Sequence, residues 1–344
     1  MTAPTAFELA STRRIEIAAL ALMGLALYAV LNLGLLAAFL AGVLVYELVH
    51  MMAPYVHIPG LTHRTGKAVA LALLAFIATL ILSSGVAGLT AFFTDSSDNV
   101  VILMQKMADI VLTARTHFPA WAQDMLPATA QDWEREAAQW LRAHAGILQS
   151  VGENFGRIVV HIIVGAVIGG LAVLGEATPT PANLPPLRGA LLGRAQILGN
   201  AFRRVVFAQV RISALNTLLT ALYLAAILPA IGINLPLVKT MIAVTFIAGL
   251  LPVIGNLISN TVIVIVSLSV SASAAIGSLL FLVLIHKLEY FVNARIIGTQ
   301  IRSRAWEMLI AMLAMEAWFG VPGVIAAPIY YAYVKDELSA RGLI

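Results

Sequence analysis

The chain has 344 residues, of which 60% are hydrophobic and 11% charged, with a mean hydropathy of +0.93 and a formal net charge of +4. A soluble domain of this length needs a larger charged surface, so the composition reads as an all-α polytopic integral membrane protein whose main partner is the lipid bilayer. The absence of cysteine excludes disulfides, thiolate metal sites and thiol catalysis, and the small positive balance is explained by where the basic residues lie, with no sign of nucleic-acid binding.

Apolar runs cover roughly 15–31, 33–52, 68–93, 157–177 and 212–231, each near the ~20 residues that a spanning helix needs. Arg13-Arg14 ahead of the first run has the look of a twin-arginine export signal. No small-residue cleavage site follows, and a second apolar segment comes at once, so residues 15–52 read as a retained helical hairpin. Residues 1–94 form the expected three-span N-terminal unit. Between the third and fourth runs lies a wet stretch, 95–156, with eight acids against Lys106, Arg115, Arg135 and Arg142. Val100, Leu103, Met104, Met107, Ile110 and Val111 repeat at helical spacing, as do Trp133, Ala137, Trp140 and Leu141 after a cap at Thr129. Two amphipathic helices outside the membrane are expected, facing headgroups, a partner or each other.

Lysine and arginine placement sets orientation. Arg13 and Arg14, then Arg64 and Lys67, then Arg188, Arg194, Arg203, Arg204 and Arg211 belong in the cytoplasm, and the acidic 95–156 stretch belongs outside. The N-terminus is therefore inside. Residues 157–211 read as a fourth span, a stiff linker at Pro179, Pro181, Pro185 and Pro186, and a basic amphipathic helix at 188–210 on the inner membrane face. Gly165, Gly169 and Gly170 give the fourth span a small-residue face for close packing.

The last stretch, 212–344, is the expected transport core. The 237–270 block is too long for one span and is interrupted at Pro252–Asn256, within IAGLLPVIGNLISN. A second block is interrupted at Gly320-Val321-Pro322-Gly323. A break in a membrane helix frees N–H and C=O groups that hydrocarbon cannot satisfy, so it is tolerated only inside protein or beside a wet cavity. The basic cluster Lys287, Arg295, Arg302 and Arg304 should be cytoplasmic, which requires an odd number of crossings between 237 and 286. One solution is a re-entrant hairpin from outside (237–251, 257–270), a full span at 275–292, and a second hairpin from inside (308–319, 324–334). That gives about six full spans plus two hairpins in an inverted repeat, both termini cytoplasmic. Eight crossings with two kinked spans is the alternative, and it leaves the 287–307 basic cluster outside.

The segments LLPVIGNLISN, LEYFVNARIIGTQI (288–301) and FGVPGVIAAPIYYAYV (319–334) resemble the AI-2E (autoinducer-2 exporter) family, and the likeness in layout covers nearly the whole chain. The family's positions fall on Pro252, Ile254 and Gly255, on Glu289, Arg295 and Gly298, and on Gly320, Gly323, Ala327 and Pro328. The chain departs from the pattern at Asn256, Ala294 and Glu316. The resemblance implies a transporter of the bacterial inner membrane, exporting the quorum-sensing signal autoinducer-2 or exchanging sodium or lithium for protons. It also implies homo-oligomeric assembly, a pentamer among the options, with no cofactor.

No nucleotide, metalloprotease or hydrolase motif is present, and the seven histidines show no metal-ligand spacing, which speaks against an enzyme. The candidate substrate and ion site joins the first break (Pro252, Gly255, Asn256, Ser259, Asn260) to the second (Gly320, Pro322, Gly323), with Glu316 as ion-coupling carboxylate. Glu316 reads equally as half of a structural ion pair with Arg295 or a neighbouring cation. Glu289 and Arg295 are candidates for coupling or gating, or members of a solvated interfacial cluster. Glu47, His50 and His161 are expected at an interface. Asn216 and Gln209 either face the same cavity or bridge helices. An oligomeric channel or scaffold is the reading of a different class.

Overall fold

In the computed structural model, residues 6–55, 63–94, 145–175, 184–251, 254–296 and 305–344 are described, with isolated positions between 135 and 143. Among them every regular element is a helix and there is no strand. The helices are α1 (Ala6–Asn32), α2 (Leu36–Met52), α3 (His63–Thr94), α4 (Ala145–Gly175), α5 (Pro186–Leu222), α6 (Val238–Gly249), α7 (Ile254–Val270), α8 (Ala272–Ile296), α9 (Ala305–Phe319) and α10 (Val321–Ala340). Most of the expected amphipathic segment at 95–156 lies outside the described residues, and its last part forms the start of α4.

Among the described residues, three helical stretches are long and apolar enough to cross a membrane: Arg14–Asn32, Gly156–Gly175 and Pro186–Ala230. Shorter apolar stretches are Leu36–Met52, Thr65–Leu80, Val238–Gly249, Gly255–Val270 and Ala272–Ile285. The chain is thus all-α with membrane-spanning potential, as composition required.

The expected basic surface helix and fifth span are one continuous helix. No proline lies between Leu187 and Leu228, and α5 continues through a π-helical turn, Tyr223–Ile227, to Ala230. Its 45 helical residues are more than twice the ~20 that one crossing needs. The wider turn, in which Leu228 N–H bonds Tyr223 C=O, comes just before Pro229, a residue with no N–H to donate.

The chain forms two compact units. One comprises residues 1–79, 154–206 and 303–344; the other comprises 80–153 and 207–302. The first packs Leu27, Leu198, Phe202, Ile329 and Tyr333 together in one core cluster, and Val49, Ala70 and Val173 in another. The glycine face of α4 packs closely, as its pattern predicted, and its partner is α2, met backbone to backbone. A Cβ on Gly165 or Gly169 would overlap the carbonyls of Ala38 and Gly42, so the contact tolerates nothing larger than glycine. The second unit is built around Tyr223, Leu224, Leu228, Met241, Ile263, Val266 and Leu282.

Charge also holds the first unit together. Arg194 on α5 is only 4% exposed. It donates to Glu16 Oε2 at 2.5 Å and to the Glu16 carbonyl at 2.9 Å, and lies 3.4 Å from Glu337 Oε1. A buried guanidinium costs several kcal/mol unless it is paired in this way. Glu47, expected at an interface, is buried on α2 with Oε1 over the open face of Gly199. The neighbouring His50 is half-buried, with Nδ1 at 2.9 Å from the Tyr46 carbonyl.

Candidate functional site

Both interrupted segments fold back on themselves. In the second unit, Met241 of α6 and Ile263 of α7 share one buried cluster. Twenty-two residues of unbroken helix would hold them about 33 Å apart. In the first unit, Glu307 near the start of α9 accepts a hydrogen bond at 2.9 Å from Lys335 near the end of α10, and another from the Tyr331 hydroxyl. That is the geometry of an antiparallel pair. The Glu307 hydrogen bond raises the Lys335 pKa above its ordinary value, outweighing the opposing effect of burial.

A glycine closes each turn. A Cβ on Gly255 would overlap the Ala248 carbonyl, and one on Gly323 would overlap the Met315 carbonyl. Gly320 has φ 62° and ψ −145°, a region essentially restricted to glycine. Pro322 follows in the first turn of α10, where its missing N–H costs no intrahelical bond.

The α6–α7 turn is surrounded by neutral polar groups. α6 ends at Gly249 and leaves its last carbonyls without helical partners. Four residues apart on α5, Gln209 donates to the Gly249 carbonyl at 2.7 Å and Ser213 to the Phe246 carbonyl at 2.7 Å. The next residue on that face, Asn216, donates to Asn256 Oδ1 at 3.1 Å. Leu250 N–H and Leu251 N–H reach back to Ile247 and Ala248 at 3.3 and 2.8 Å. Ser259 is buried, its hydroxyl 3.3 Å from the Asn256 carbonyl. The Gly249 and Leu251 carbonyls are therefore engaged, the latter accepting from Gly255 N–H at 3.2 Å. Gln209 and Asn216 are the helix bridges that one of the two sequence readings anticipated. Sequence reading missed Ser213, although the 209–213–216 spacing marks one face of a helix.

The two breaks fall in different units. Glu316 lies on an exposed face of α9 with Leu309 and Leu313, and its carbonyl accepts from Gly320 N–H at 2.7 Å. No ion pair engages its carboxylate among the described residues. Pro252 and the 297–304 stretch lie outside the described residues. Glu289 and Arg295 sit on α8, but their side chains are not described, so the expected Glu316–Arg295 pairing falls outside them too. Asn260 is half-buried on α7.

Compared with known proteins, the chain matches no family model, no curated protein and no solved structure.

Proposed function

We propose that the chain is a membrane transporter of the AI-2E type, secondary or facilitative, that exports a small polar solute such as an autoinducer-2-like signal. The observation that carries this reading is the α6–α7 turn, where Asn216, Asn256 and Ser259 gather amide and hydroxyl groups beside a helix break between two apolar helices. Such a group suits a neutral hydroxylated solute or a weakly held cation better than an anion. The motif resemblance at 250–260, 288–301 and 319–334 supports the same conclusion.

In this reading α1 to α5 and α8 cross the bacterial inner membrane, and α6–α7 and α9–α10 are re-entrant hairpins. Both termini are cytoplasmic, and the chain assembles as a homo-oligomer, with a pentamer as one form. Pro252, Gly255, Asn256, Ser259 and Asn260 shape one turn, and Gly320, Pro322 and Gly323 the other. Glu289 and Arg295 gate or couple the cycle. A sodium or lithium/proton antiporter is the close alternative, favoured by the exposed Glu316 carboxylate on an apolar helix face. A channel or scaffold, in which the break only packs helices, is favoured by the engaged Phe246 and Gly249 carbonyls.

Counterflow of labelled hydroxylated solutes and of sodium in proteoliposomes separates these readings. The transporter gives saturable flux that Asn256→Leu abolishes, and the antiporter gives a pH-dependent flux that Glu316→Gln flattens. Large unsaturated single-channel currents would instead establish a pore.

A further inference from the structure

A line of neutral polar side chains runs through the core of the second unit, well beyond the hairpin turn. Along one face of α5 and into the π-helical turn, Gln209, Ser213, Asn216, Thr220 and Tyr223 recur three or four residues apart, the spacing of side-chain neighbours on a helix. All but Gln209 are buried. At the far end the Tyr223 hydroxyl lies 3.1 Å from Ser278 Oγ, which lies 2.7 Å from Ser267 Oγ, and both serines are fully buried. Four residues beyond Ser267, Ser271 forms the α7–α8 turn, 3.0 Å from exposed Ser273 in the first turn of α8. The line thus starts at the hairpin turn and ends at the surface.

Thr220 sits in the middle. It is 1% exposed, yet its hydroxyl has no hydrogen-bond partner. Thr245 and Thr261 donate to the carbonyl four residues back, the usual refuge of a helical threonine, and Thr220 does not. The buried Thr217 hydroxyl is unpartnered as well. Unpaired hydroxyls in an apolar core are costly unless water completes their bonds. The π-helical turn starts at Tyr223, one turn beyond Thr220, and such turns are frequent at functional sites.

Every side chain on the line is neutral, so a resident ion finds no counter-charge, whereas each hydroxyl can both donate and accept. We propose that the line is a hydrated file: water held at Thr217 and Thr220 joins the Asn216–Asn256 pair to the Tyr223–Ser278–Ser267 hydroxyls, and the file conducts protons between the hairpin turn and the α7–α8 turn. Each hydroxyl or water oxygen takes a proton from the oxygen before it and releases its own to the next, while the Asn216 and Asn256 amides only hydrogen-bond the first water of the file. No other bond is made or broken, and rotation of the hydroxyls resets the file. This goes beyond the transport reading, since it requires no solute.

The test uses the full chain in liposomes that hold a pH-sensitive dye, with proton influx driven by a valinomycin-set potassium potential and no solute present. Wild-type vesicles acidify faster than empty ones. Thr220→Val, which keeps the shape and loses the hydroxyl, slows influx by roughly tenfold or more, while Thr220→Ser retains most of it. Tyr223→Phe, which preserves the stack on Phe281 (3.8 Å between ring centroids), slows influx in the same way. A dry site reverses the prediction: removing an orphan hydroxyl then raises Tm and leaves influx unchanged, which overturns the proposal. Wild-type influx no faster than in empty vesicles overturns it equally. Failure of solute counterflow with proton influx intact counts against the transport reading alone.

Discussion

The two hairpins reach the same turn by unlike means. In both, a glycine (Gly255 or Gly323) lies against a backbone carbonyl seven or eight residues earlier, where no Cβ fits. The α6–α7 pair is then tied by neutral amides and hydroxyls from α5 to helix-end carbonyls and Asn256. The α9–α10 pair is tied by charge, through Glu307 with Lys335 and Tyr331. Asp336 and Glu337 extend this to α5 by meeting Arg204 and Arg194. The turn depends on backbone proximity, and the fastening depends on surroundings. Neutral bonds suit a turn between apolar helices, whereas ion pairs suit side chains that stay partly exposed, as Lys335, Glu307, Arg204 and Asp336 do.

The sharpest way to break the comparison is at the shared element. Gly255→Ala and Gly323→Ala should each destabilise the protein by roughly 3 kcal/mol or more, because backbone must move. Thermal unfolding in detergent checks this against Gly24→Ala, which meets nothing within 4 Å. Next comes Gln209→Leu, which strands the Gly249 carbonyl and should cost about 2 kcal/mol. Its effect should not depend on salt. Glu307→Gln should cost about 1 kcal/mol, since the pair it breaks is only partly buried. Here added salt should narrow the gap to wild type by screening the ion pair. The smallest effect is the coupling between Asn216→Ala and Asn256→Ala, about 0.5–1 kcal/mol in a double-mutant cycle. Additivity of that pair would show that the 3.1 Å contact does not bind the hairpin.

Much of this was legible in the sequence, because the signals are local. Proline and glycine inside apolar runs marked both turns, and Gly165 and Gly169 marked the α2–α4 contact. The long-range polar partners were not legible. Arg194 reads as a surface cation among Arg188, Arg203 and Arg204, and its burial depends on Glu16, 178 residues away. The split expected near Arg211 was drawn from polarity alone, where nothing interrupts the backbone. Ser213, Thr220, Ser267 and Ser278 are small residues common in apolar helices, and only their shared face identifies them.

The central claim is that each interrupted segment enters and leaves the membrane on one side. Because the chain has no cysteine, single cysteines can be placed at the hairpin bases and labelled in intact cells with a membrane-impermeant maleimide. The account predicts that Lys239→Cys and Ser271→Cys are both labelled from outside, and that Trp306→Cys and Ser339→Cys are labelled only after permeabilisation. Labelling of Lys239→Cys and Ser271→Cys from opposite sides would make α6 and α7 a single kinked span and contradict it.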